Sequence, residues 1–151
     1  MYKFLYVIYF PKSKAIRKII PLLYASFLQL ITGVPKPEAL KNFDVAEFAI
    51  MFSEQLYDYP YWLQDLSHLP LFLTFTWMSH WFFSGPNPSF DLHRKAVIVS
   101  IIYAVFNEGI QAIIPDRFPS LGDLIMNLLG VILAIFVYKM LGKYLCSVNR
   151  T

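Results

Sequence analysis

Four apolar stretches, approximately residues 19–34, 62–83, 95–114 and 121–141, constrain this chain more than any other feature. In hydrocarbon every backbone N–H and C=O must be satisfied within the protein, which leaves helices and closed barrels as the structures that span a membrane. A spanning helix takes about 20 residues, and these stretches predict an all-α membrane protein, a bundle of four transmembrane helices forming one domain over residues 1–151. Composition makes a membrane protein the economical reading: 57% of the chain is hydrophobic and 15% charged, where a soluble domain carries roughly a quarter charged residues. The first stretch is short. Its rise is about 24 Å against a hydrocarbon core of about 30 Å, so Arg17 and Lys18 are expected to snorkel. Pro70 falls inside the second stretch and predicts a kink.

The connections carry the topology. The opening MYKFLYVIYF is too short to span, and its basic residues follow the apolar run, unlike a signal peptide; it reads as an interfacial stretch on the cytoplasmic side. Residues 35–65 are rich in acids and aromatics. Within them Asp44 to Glu47 has capping-box-like spacing, and Val45, Phe48, Phe52 and Leu56 share a face, predicting an amphipathic helix over 45–57 in the first extracytoplasmic loop. SGPNPSFDLHRK, residues 84–95, is a turn-rich connection. With both termini cytoplasmic, ten of the thirteen Lys and Arg residues are inside and only Lys36, Lys41 and Arg117 outside, as the positive-inside rule requires. The net charge of +3 therefore reports topology, and a nucleic-acid partner is not expected. Cys146 is the single cysteine, which rules out an internal disulfide and reads as a membrane-proximal thiol.

Against this apolar background the polar residues of YAVFNEGIQAIIPDRFPSLGDLIMNLLG, Tyr103 to Gly130, stand out. An ionisable side chain within a span costs free energy unless it faces a bundle interior or a watery cavity, which makes Glu108 a site candidate. Ser100, Ala104, Glu108 and Gln111 recur on one face of the third span, and Asp123, Asn127, Gly130 and Ala134 on one face of the fourth. Two stripes, each small toward one end and polar toward the other, predict that these spans pack face to face and collect Glu108, Gln111, Arg117, Asp123 and Asn127 in one extracytoplasmic pocket. His68 and Asp65, at the outer end of the second span, are placed to join it. His80 lies about 18 Å further along the same helix, outside the cluster, and beside Trp77 and Trp81 reads as interfacial.

Glu108-x-x-Gln111 followed by Arg117, Ser120, Asp123, Asn127 and Gly130 resembles the signature of VanZ-like membrane proteins, a family named after a protein linked to teicoplanin resistance. The resemblance implies a protein of the bacterial envelope and the cytoplasmic membrane. It also implies an acid and a Lys shortly before the His of the second span. Here the run is Gln64, Asp65, Leu66, Ser67, His68; the basic residue is missing, so the resemblance does not carry a role over to Asp65.

Each polar residue also has a purely structural use. Ser120 and Asp123 form a capping box, Asn127 and Gln111 serve as interhelical hydrogen bonds, and Glu108 packs as a neutral acid. Two carboxylates, a guanidinium and two amides within about three helical turns exceed what packing four helices requires. The first expectation is a site for an envelope lipid or lipid-linked cell-wall precursor, with Arg117 clamping phosphate, Gln111 and Asn127 donating, and Glu108 and Asp123 orienting them or binding sugar hydroxyls. The second is a lipid-headgroup hydrolase or transferase, with Glu108 or His68 as general base, Asp123 orienting it, Arg117 stabilising an anion and water as nucleophile. The third is a structural subunit of a membrane complex. His68, Glu108 and Asp123 are metal-ligating residue types, but their spacing matches no metal motif, so neither a metal nor another cofactor is expected.

Overall fold

The computed structural model describes residues 2–32, 66–85, 91–112 and 120–148, and every regular element among them is helical. These are α1 (Tyr2–Tyr9), α2 (Lys14–Thr32), α3 (His68–Phe83), α4 (Arg94–Gln111) and α5 (Leu121–Val148). The amphipathic helix expected over 45–57 lies outside the described residues, as do Asp65 and Arg117.

Local chemistry explains where the helices begin. Pro11 bars α1 from continuing, and the Ser13 hydroxyl accepts the Ile16 N–H at 3.4 Å, which starts α2 at Lys14, five residues before the apolar stretch. The helix is thereby 19 residues long and rises about 28 Å. The added residues include the basic ones, so the apolar part of the helix still begins at Ile19. Arg17 is buried with its guanidinium 4.5 Å above the Phe10 ring, and the Lys18 ammonium donates to the Phe82 carbonyl at the end of α3. Pro70 likewise does not kink a helix. It falls in the first turn of α3, where backbone N–H groups have no intrahelical partner to lose. At α5 the Ser120 hydroxyl accepts the Asp123 N–H at 3.3 Å, half of the predicted capping box.

Only α5, 28 residues and about 42 Å long, is long and apolar enough to cross a membrane by itself among the described helices. The helical part of the second stretch, α3, is 16 residues, and α2 and α4 each carry three charged residues, Lys14, Arg17 and Lys18 in one and Arg94, Lys95 and Glu108 in the other.

The centre of the assembly is α3, packed most extensively against α5 and touching α2 and α4 as well. Its contact with α5 is backbone-close. A Cβ built on Gly130 would lie 2.4 Å from the Leu69 carbonyl oxygen and 3.0 Å from the Leu73 nitrogen. The small end of the α5 stripe therefore serves α3, not α4 as the sequence pattern suggested. Two apolar clusters fill the interior. Leu28, Phe72, Phe75, Ala104 and Val131 join α2 to α5, with Tyr103 stacked on Phe75 at 4.6 Å and donating its hydroxyl to the Ala25 carbonyl at 3.0 Å. Tyr9, Phe10, Tyr138 and Leu145 form the other. There α1 docks on the bundle: Tyr9 stacks on Tyr138 at 4.3 Å, and the indole N–H groups of Trp77 and Trp81 donate to the Ile8 carbonyl at 3.1 and 2.9 Å. His80 belongs to this cluster. It is fully buried, 2.8 Å from the Thr76 carbonyl through Nδ1 and 4.2 Å from the Tyr138 ring, so it is a core residue and not an interfacial one.

Candidate functional site

At the opposite end of α3 from His80, three helices bring polar side chains to one point. His68 is the first residue of α3, Glu108 sits one turn before the end of α4, and Asp123 and Asn127 lie one turn apart at the start of α5. Each position follows from local rules. The i, i+4 spacing aims Asp123 and Asn127 the same way, and an acid in the first turn of α5 meets the positive end of the helix dipole. Glu108 is 3% exposed, Asn127 is fully enclosed and Asp123 is 9% exposed.

The groups form a chain of hydrogen bonds with a defined direction. The Asn127 amide nitrogen donates to Glu108 Oε1 at 2.8 Å, and Asn107 Nδ2 approaches the same oxygen at 3.4 Å. An ionised carboxylate only accepts, so the Asn127 amide must turn its NH2 to Glu108 and its Oδ1 to His68. That oxygen lies 3.1 Å from His68 Nδ1, which must therefore carry a hydrogen. The other ring nitrogen, Nε2, lies 3.3 Å from Asp123 Oδ1. In a neutral ring this Nε2 has a lone pair and no hydrogen. A lone pair and an ionised carboxylate oxygen at this distance repel each other unless a proton or a cation lies between them.

Among the described residues Glu108 Oε2 is buried without a hydrogen-bond partner, and the same holds for Asn107 Oδ1. The Ser120 backbone, at the α5 N-terminus, also acts on the Glu108 carboxylate. One ligating atom each from His68, Glu108 and Asp123 can be chosen so that all lie within 4.8 Å of one another.

Of the residues singled out from sequence, the structure brings together Glu108, Asp123, Asn127 and His68. Gln111 is buried on the same helix as Glu108 but is not a party to the bonds that link His68, Asn127 and Glu108. Asn107 was missed. It neighbours Glu108 in sequence and falls off the stripe that the helical period selects; a second amide beside a buried acid was the available signal.

The sequence profile described as VanZ/LLP1 matches residues 4–142, nearly the whole chain. No curated protein and no solved structure matches it.

Proposed function

This chain belongs to the VanZ-like family of envelope proteins, and on that premise we propose that it is a multi-pass protein of the bacterial cytoplasmic membrane that binds a phosphate-bearing envelope lipid or lipid-linked cell-wall precursor and contributes to teicoplanin-type resistance. In this reading α2, α3, α4 and α5 each cross the membrane, both termini are cytoplasmic, and the His68–Asn127–Glu108 chain faces outward. The observation that carries it is the burial of Glu108, with one carboxylate oxygen unbonded, among helices whose outer faces are apolar: Ile102, Val105 and Phe106 of α4 and Ile132 and Phe136 of α5 are exposed. Membrane proteins place such groups toward pathways and ligands. Arg117, in the connection between α4 and α5, supplies a bidentate donor for phosphate.

Native mass spectrometry of the detergent-purified protein tests this reading. A phosphate-bearing lipid is expected to copurify with the wild type and to be lost from Arg117→Ala. A wild type without such a lipid, or a variant holding it equally well, overturns the reading.

A further inference from the structure

We propose that His68, Glu108 and Asp123 bind one divalent transition-metal ion through His68 Nε2 and one oxygen of each carboxylate. The inference concerns the same cluster as the lipid reading and does not depend on it.

Three observations converge. The first is spacing. A tetrahedral ion with ligand bonds of about 2.0–2.1 Å separates its ligands by about 3.3–3.4 Å, and His68 Nε2 and Asp123 Oδ1 are 3.3 Å apart, with a Glu108 oxygen inside the same 4.8 Å group. The second is the buried Glu108 Oε2, which has no hydrogen-bond partner among the described residues although Glu108 is only 3% exposed. A buried carboxylate oxygen without a donor is costly, and a cation gives it a partner. The third is the direction of the hydrogen bonds. Metal-bound histidines donate their second ring N–H to a carbonyl or carboxylate, which fixes the tautomer and points the free lone pair at the ion. Asn127 does this for His68: its Oδ1 faces Nδ1 at 3.1 Å, and its own orientation is held by Glu108 Oε1 at 2.8 Å.

The ligand set narrows the ion. One imidazole with two carboxylates suits zinc or manganese, whereas calcium and magnesium take oxygen ligands almost alone. The ion neutralises both carboxylates, and three protein ligands leave a coordination position open. A phosphate oxygen is one group that fits there, which would give the lipid of the preceding section a second anchor beside Arg117. The ligands come from the first turns of α3 and α5 and the last turns of α4, so the ion would also tie three helix ends together.

The test uses the full chain in detergent, stripped with a chelator, equilibrated with zinc or manganese chloride in separate samples, desalted, and assayed for bound metal by mass spectrometry of the elements. The wild type is expected to hold a single ion per chain, with X-ray absorption showing imidazole scattering and oxygen ligands. His68→Gln, Asp123→Asn and Glu108→Gln should each lose the ion, and Asn127→Ala, which leaves all ligands in place, should weaken binding about 10- to 100-fold. A wild type that holds neither ion overturns the proposal. So does undiminished binding by His68→Gln, and should that variant not fold, a wild-type absorption spectrum without imidazole scattering decides against it equally. Native mass spectrometry of the same samples reads the lipid separately: metal without lipid supports this proposal and sinks the lipid reading, while lipid without metal does the reverse.

Discussion

Asn127 is the residue whose truncation leaves the most behind. It is fully buried and serves as donor to Glu108 and acceptor for His68 at once, so Asn127→Ala strands two polar groups, each at a cost of about 1–3 kcal/mol. Thermal unfolding in detergent should show Asn127→Ala well below wild type. Asn127→Asp should fall further near neutral pH, because it sets a second carboxylate where the amide met Glu108 Oε1 at 2.8 Å. Equal melting of all three would mean that the hydrogen-bond chain contributes nothing. At this scale the polar partners were legible in the sequence as a class, since acids and amides recurring at helical spacing in apolar segments have few uses. Who bonds to whom was not legible. The Asn127 amide has two orientations, and only the placement of Glu108 on one side and His68 on the other selects between them.

At the scale of elements, the approach of α5 to α3 rests on Gly130. The Leu69 carbonyl occupies the space a side chain would need, so Gly130→Ala forces the two helices apart and should destabilise by about 1–3 kcal/mol, as overpacked interiors do. Ile132→Ala, at a residue 61% exposed on the outer side of the same helix, should stay within about 0.5 kcal/mol of wild type. Comparable losses in both variants would contradict the packing. The glycine and its stripe were readable from sequence, but its partner was not, because a small residue signals a close neighbour without naming it, and chain adjacency pointed to α4. The start of α2 was misread for a related reason. Apolar runs mark what is buried, whereas this start is set by the Ser13 cap, so α2 begins within its basic segment; the start of α5 after Ser120 was legible because its cap adjoins the apolar run. His80 was misplaced because a tryptophan on either side suggested an interface, while Tyr138, 58 positions away in the chain, encloses it.

For the whole molecule, the uneven placement of Lys and Arg predicts that reporter fusions at Asn42 and Ser120 read as extracytoplasmic and fusions at Pro88 and Asn149 as cytoplasmic; a cytoplasmic signal from Asn42 would invert the orientation and turn the cluster inward. The cluster of His68, Glu108, Asp123 and Asn127 is expected to act on something besides the fold. Glu108→Gln separates the two roles, since glutamine keeps an acceptor for Asn127 while removing the charge and with it the proposed metal ligand, a change that should not hinder insertion. The decisive measurement is teicoplanin susceptibility of cells carrying Glu108→Gln, taken with the abundance and melting temperature of the same protein. Susceptibility at the level of a deletion, with abundance near wild type and melting near that of the metal-free wild type, is the predicted result. Wild-type resistance from a stable Glu108→Gln protein, or a variant lost from the membrane, would contradict it.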